Sequence, residues 1–231
     1  MTDAVIALVP AAGIGRRMGA GKPKQYLPLT DQHCILDETL SRLLNCSAIS
    51  EVVVALAVDD PYFDDLQQAT HPRLRTVIGG EQRADSVLAG LQAVNPDIHP
   101  WVMVHDAARP LITEGDIAAL LVKARQGQGA ILAAPLVDTI KWSGDGQCIE
   151  ETVPRQHLWR ALTPQCFPTA LLRQALAEAL AEGASITDEA SAMERLGLNV
   201  ALVPGRTDNL KITQPDDLAL ARWLLSQQEN R

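Results

Sequence analysis

The sequence predicts an α/β fold, a doubly wound and mostly parallel sheet with helices on both faces and one extended β-arm. Three observations predict it. Apolar runs alternate with helical patterns almost to the end of the chain, as the βα units of a parallel sheet do. Those runs are β-branched and unbroken by polar residues, which marks strands buried on both faces. The alternation fails once, between Asp138 and Phe167. At 231 residues without repeats, low-complexity tracts or linkers, the chain reads as one domain over residues 1–231 with the arm as an insert at about 138–167.

The elements follow in order. AVIALV (Ala4 to Val9) is the first buried strand and runs straight into PAAGIGRRMGAGKPKQY (Pro10 to Tyr26). Ile35 to Leu44 has helical spacing, and EVVVALAV (Glu51 to Val58) is a second buried strand. A polar stretch near Tyr62 to Thr70 has some helical character and leads to a third strand, Leu74 to Ile78, and a helix over Ala84 to Val94. WVMVH (Trp101 to His105) is the fourth strand. Thr113 and Asp116 make a capping box ahead of a helix through Arg125, and Gly129 to Val137 is the fifth strand. Within the arm, a Gly-Asp-Gly turn at 144–146 between two β-capable runs predicts a hairpin. Helices over Leu171 to Leu180 and Glu189 to Leu196, a strand at Val200 to Val203 and a last helix opened by Thr213-Gln-Pro-Asp216 complete the chain.

Composition bounds the function. Hydrophobic residues make up 47% and charged residues 21%, as in an ordinary globular protein. No apolar run approaches the roughly 18 residues of a membrane span, so no membrane partner is expected. Asp3 and the absence of a basic leader argue against a signal peptide. Cys34, Cys46, Cys148 and Cys166 show no C-x-x-C or metal spacing, which fits reduced thiols in a cytoplasm. A formal charge of −8 argues against a nucleic-acid partner.

Against that acidic background the first loop stands out. Four of the 20 Lys+Arg fall within nine residues, Arg16, Arg17, Lys22 and Lys24, with no acid among them. They are interleaved with Gly13, Gly15, Gly19 and Gly21. Glycines after a buried strand let backbone N–H groups approach an anion, and the cations neutralise it, so the loop reads as a polyphosphate cradle. It is neither of the common templates. Met18 occupies the third glycine of the dinucleotide fingerprint, and Pro23 and Arg16 stand where a P-loop needs its hydroxyl and first glycine.

With the flanking motifs included, the chain resembles the sugar-nucleotide-forming nucleotidyltransferases, and among them the 2-C-methyl-D-erythritol 4-phosphate cytidylyltransferase family of the non-mevalonate isoprenoid pathway. Seven motifs in order carry the resemblance over nearly the whole chain: PAAGIGRRMG with PKQY, GGEQRADSV from Gly79, VHDAARP from Val104, APLVDTIK from Ala134, TPQCF from Thr163, TDEASAME from Thr187 and DNLKIT from Asp208.

The resemblance implies a Rossmann-like sheet of nucleotidyltransferase type and a reaction between CTP and a polyol 4-phosphate with Mg²⁺, releasing pyrophosphate. It implies that Arg17 and Lys24 stabilise charge at the α-phosphate, and that Pro10, Ala11, Ala12, Gly13, Gly15 and Ala107 bind the nucleotide. Gly80 and Ser86 would recognise cytosine with Arg83 nearby, although Gly79-Gly80 and Ser86 taken alone read equally as a turn and an N-cap. Asp106, just past a strand, would bind the nucleotide and Mg²⁺, with a helix-capping aspartate as the rival reading. His105 has no partner at metal spacing and reads as structural.

Arg109, Thr139, Arg155, Thr187 and Lys211 match acceptor-binding positions, with Arg155 and Thr187 expected from a partner subunit. Thr187-Asp188-Glu189 on its own reads better as a helix start. Pro154 departs from the aspartate expected there and confines the arm to an edge position. Apolar Ile140, Trp142, Val153, Leu158 and Trp159 cannot be buried by an extended arm alone, which predicts a homodimer built through it. With the last helix close to the end of the chain, the fused cyclase of some relatives is not expected. The competing expectations are a ribitol-5-phosphate cytidylyltransferase and, from another class, a nucleotide-binding regulatory module without catalysis, although Arg17, Lys24 and Asp106 are all present.

Overall fold

A computed structural model describes residues 5–13 and 22–229 of the chain. The central strand is β1 (Val5–Pro10), and its residues are divided between two faces. Val5, Ala7 and Val9 pack into one apolar cluster, and Ile6 and Leu8 into another. A strand buried on both faces has no polar side to alternate with, so the unbroken AVIALV run is what this position demands.

On one side of β1 lie β2 (Ile49–Leu56) and then β3 (Leu74–Ile78), both parallel to it. On the other side lies β4 (Trp101–Val104), also parallel. The first cluster is covered by α1 (Ile35–Asn45) and α3 (Glu114–Ala124), through Leu36, Leu40 and Leu43 of one and Ile117 and Leu120 of the other. The second is covered by α2 (Arg83–Gln92), α4 (Thr169–Ala181) and α5 (Glu189–Arg195). A third cluster seats α6 (Pro215–Glu229) through Ala221 and Leu225 on Leu29, Ile35 and Leu111. The sheet is doubly wound, as expected.

The sheet continues past β4 in a less regular way. Its order is β3-β2-β1-β4-β8-β5-β9, with β5 at Ala130–Pro135, β8 at Trp159–Pro168 and β9 at Ala201–Pro204. Strand β8 is antiparallel to both β4 and β5. The sequence reading carried the arm through Phe167, whereas the chain from Trp159 onward belongs to the sheet. Its signature was hidden because β8 starts exposed and buries two polar residues, Thr163 and Gln165, among Leu162, Cys166 and Phe167. The arm proper is a separate ribbon of β6 (Ile140–Trp142) and β7 (Glu151–Val153), antiparallel as the hairpin reading required. At its turn the Asp145 carboxylate accepts the N–H groups of Gln147 and Cys148, and Gly146 takes a φ of +71°.

Other expectations resolve locally. The Thr113–Asp116 capping box is present, and Asp188, not Thr187, caps α5. Residues 62–70 form one short 3-10 turn at Phe63–Asp65 and no longer helix. β2 stops at Leu56, and Val58 beyond it is exposed.

Candidate active site

Strands β2 and β3 lie to one side of β1 and β4 to the other, so the sheet changes direction between β1 and β4. Chain segments diverge from the carboxyl ends of those two strands, and open α/β sheets bind ligands in such a crevice. Pro10 to Gly13 leave β1 there, and His105 to Arg109 leave β4. Pro10, Ala11, Ala12, Gly13, Gly80, Arg83, Ser86, Asp106 and Ala107 all line one cavity, together with Lys24 and Lys211. These are the expected nucleotide residues except Gly15, which with Arg17 lies outside the described residues.

The cavity walls come from close approaches that only small residues permit. A Cβ on Gly79 would stand 2.7 Å from Ser86 Oγ and 2.8 Å from the Ala12 side chain, and one on Gly80 only 2.3 Å from the Asp85 Cβ. The Gly80 N–H donates to Ser86 Oγ at 3.1 Å, which ties the turn to the first turn of α2. Ser86 is therefore not the N-cap that a local reading suggested. Gln82 holds that position, with its N–H on Asp85 Oδ2 at 3.0 Å.

Across the cavity, buried Gln25 donates from Nε2 to the Ala11 and Gly13 carbonyls at 2.7 and 3.1 Å, fixing the strand exit. Lys24 Nζ donates to the Ile212 carbonyl at 2.9 Å, which joins the first loop to the segment carrying Lys211.

The densest electrostatics surround Asp106, only 6% exposed. Its Oδ1 accepts from Arg83 Nε at 3.0 Å. Its Oδ2 lies 3.0 Å from Lys211 Nζ and 3.4 Å from Arg109 Nε. Burial would raise the carboxyl's pKa, but Arg83, Lys211 and Arg109 outweigh it and hold Asp106 far below the usual carboxylate range. Burial likewise pulls Arg83 down, and Glu189 with Asp106 more than reverses it. Arg109, nearly as enclosed, is left lowered by its burial.

Behind the carboxylate runs a neutral chain. The Asp106 N–H donates to Thr163 Oγ1 at 3.0 Å, and Thr163 Oγ1 lies 3.1 Å from His105 Nδ1. His105 Nε2 lies 3.0 Å from the Arg109 carbonyl, which can only accept. The proton therefore sits on Nε2, and the Thr163 hydroxyl donates to Nδ1. Complete burial lowers the His105 pKa to about 4, so the ring is neutral and structural, as read from the sequence.

A second cavity adjoins the first. Arg109, Thr163 and Thr187 line it, and it shares Arg83, Asp106 and Lys211 with the nucleotide side. Thr187, expected from a partner, lines it here beside Arg109 and Lys211 of its own chain. Thr139 and Arg155 are elsewhere. They meet each other on the arm, Arg155 Nη1 donating to Thr139 Oγ1 at 3.0 Å, and line neither cavity.

Sequence reasoning passed over Gln25, Thr163, Asn209 and Glu189. Asn209 is fully buried, donates to the Thr163 carbonyl at 2.9 Å and accepts from Arg109 Nη1 through its own carbonyl at 2.8 Å. Each lies inside a quoted motif, but nothing in its spacing signals that it supports a neighbour.

A family model described as 2-C-methyl-D-erythritol 4-phosphate cytidylyltransferase (IspD) matches residues 5–227. A protein of that name from Shewanella amazonensis is 55% identical over 229 residues, covering 99% of this chain and 96% of the relative. One from Tolumonas auensis is 55% identical over 224 residues, covering 96% and 97%. The crystal structure of the Francisella tularensis protein of that name superposes with a TM-score of 0.84 at 32% identity, covering 95% of this chain and 99% of that one.

The buried histidine makes a testable statement about pH. In the unfolded chain an imidazole takes a proton below about 6.5, whereas the folded His105 stays neutral down to about 4. Its contribution to stability is present above 6.5 and is lost as pH falls through that window. Urea unfolding between pH 7 and 4 should show the wild-type chain losing on the order of 3 kcal/mol more than His105→Gln does. Parallel pH profiles for the two proteins would contradict this.

Proposed function

The chain belongs to the 2-C-methyl-D-erythritol 4-phosphate cytidylyltransferase family, and on that premise we propose how its two cavities divide the reaction. The enzyme transfers the cytidylyl group of CTP to 2-C-methyl-D-erythritol 4-phosphate, giving 4-diphosphocytidyl-2-C-methyl-D-erythritol and pyrophosphate. One observation carries the spatial reading: two cavities share a single wall of Arg83, Asp106 and Lys211. CTP occupies the cavity lined by Pro10 to Gly13, Gly80 and Ser86, and the acceptor phosphate the one lined by Arg109 and Thr187. The α-phosphate and the acceptor phosphate then meet at the shared wall.

The chemistry needs little beyond charge and alignment. A phosphate monoester has a second pKa of about 6 and is mostly a dianion at neutral pH. No general base is required, and the nearby His105 has both ring nitrogens engaged. An acceptor oxygen attacks the α-phosphorus in line as the bond from that phosphorus to the β-bridging oxygen breaks, and pyrophosphate leaves. Arg17 and Lys24 stabilise the charge that develops there. Lys211 and Arg109 hold the acceptor phosphate, and Gly80 with Ser86 addresses the base.

Mg²⁺ fits this site in one way. Among the described residues no three carboxylate, histidine or cysteine groups converge, so a protein cage is not the arrangement. Asp106 offers an ionised carboxylate whose Oδ1, among the described residues, accepts from Arg83 alone, leaving a lone pair there. Mg²⁺ is commonly held by one carboxylate and substrate phosphates, and when bound it would neutralise phosphate charge.

The arm completes the reading. Trp142, Ile149 and Val137 are exposed on it or at its base, and a second copy of the chain would cover them. The Thr139–Arg155 pair, unused by its own cavities, would then serve the acceptor cavity of the partner. The assembly works in the cytoplasm, in keeping with four free thiols. Among the described residues no helix is long and apolar enough to cross a membrane.

Pyrophosphate release should require CTP over other nucleoside triphosphates and 2-C-methyl-D-erythritol 4-phosphate over ribitol 5-phosphate. Lys24→Ala or Arg17→Ala should lower kcat by about 10²–10³ and raise the KM for CTP far less. A raised KM with near-normal kcat would make the two cations simple binders. Light scattering at micromolar concentration should report a dimer, and a monomer there would remove the arm's role.

A further inference from the structure

Arg83 is held from two sides. Its Nε donates to Asp106 Oδ1 at 3.0 Å, and its Nη1 and Nη2 meet Glu189 Oε1 and Oε2 at 2.6 and 3.0 Å. Paired N–H groups on one carboxylate fix the plane of a guanidinium as well as its position. Three of its five donors are thereby committed and two remain.

Glu189 is 1% exposed and lines neither cavity. Its position as the first residue of α5, beside the Asp188 cap, does not require a carboxylate turned into the core. Nor does stability account for it, since a buried ion pair is often no better than apolar side chains of similar volume. Its contacts run to Arg83, and Arg83 lines both cavities on the wall they share.

We propose that Glu189 is a positioning residue for cytidylyl transfer, acting through Arg83. It holds the guanidinium end-on, so that only Nε engages Asp106, and the two remaining N–H groups stay on opposite edges, the Nη2 one beside Nε and the Nη1 one away from it. Without the Glu189 charge, Arg83 turns to pair with Asp106 by two N–H groups, the more favourable arrangement for a lone carboxylate. That rotation moves the guanidinium from its place on the shared wall and occupies the Asp106 lone pairs. The effect falls on the reacting centre and not on the grip of the nucleotide, so kcat suffers and the KM for CTP does not. The inference rests on the transfer reading above.

Steady-state pyrophosphate release on the full chain tests both levels. Wild-type protein inactive with CTP and either polyol phosphate overturns the transfer reading and this inference with it. With active wild type, Glu189→Gln should lower kcat by about 10–100-fold, as a misplacement of about 1 Å can, while the KM for CTP shifts by less than about threefold. Glu189→Asp, which keeps the charge, should recover part of the loss. In an Arg83→Ala background, Glu189→Gln should cost nothing further, because residues acting as a unit are not additive. Wild-type kcat in folded Glu189→Gln, with only its melting temperature lowered, would make the pair purely structural. Losses that multiply in the double variant would show Glu189 acting independently of Arg83. If Glu189→Gln does not fold, Glu189→Met, which removes the charge at similar size, carries the same comparison, and its wild-type kcat would overturn the proposal.

Discussion

Taking a carboxylate out of water costs several kcal/mol unless its charge is met, and at Asp106 it is met three times, by Arg83, Lys211 and Arg109. Much of the molecule serves to bring those cations to one point. Arg83 arrives from the first turn of α2, Arg109 from the loop after β4 and Lys211 from the segment between β9 and α6. No two of these are neighbours in sequence. The carboxylate acts as the common partner that sets where the three cations lie when no substrate is present. It also leaves the cluster with an excess of positive charge even after Glu189 is counted, three cations against two anions. An enzyme that must bring one phosphate up to another needs that excess.

The sheet explains why the cluster forms where it does. Because β2 and β4 flank β1 on opposite sides, the chain must leave the ends of β1 and β4 in different directions and open a crevice. Strand β8 then closes one wall. Its antiparallel insertion between β4 and β5 carries Thr163 under the Asp106 amide and Gln165 to the start of α5, where its Oε1 accepts the Ala190 N–H at 3.0 Å. The helix bearing Glu189 is thereby referenced to the same strand that holds Asp106. Substrate geometry is thus built on rigid elements, and the described ends of the first loop are tied to them by Gln25 and Lys24.

What could be read from the sequence followed the physics of each signal. β1, β2 and β4 were legible because full burial leaves continuous apolar runs, and the capping box at Thr113 because it is a local pattern. β8 was not, since its buried Thr163 and Gln165 are polar for the sake of the site. Lys24 was marked by the basic first loop and Asp106 by its place just past a strand, whereas Arg83 and Lys211 came from the resemblance; all four line the first cavity. Gln25, Asn209 and Glu189 act on other residues instead of on a substrate, and such support leaves no spacing rule. Thr187 lines the second cavity beside Arg109 of its own chain, a closeness that sequence order does not announce. Arg155 pairs with Thr139 on the arm and lines neither cavity.

The central claim is that the Asp106 charge organises the wall on which the two phosphates meet. Asp106→Asn removes that charge while keeping the size of the side chain, so its kcat for pyrophosphate release tests the claim most directly. The account predicts a fall of about 10²–10³ in a protein that still unfolds cooperatively. Turnover within a few-fold of wild type would mean that the three cations are placed by something else, and the account would be wrong at its centre.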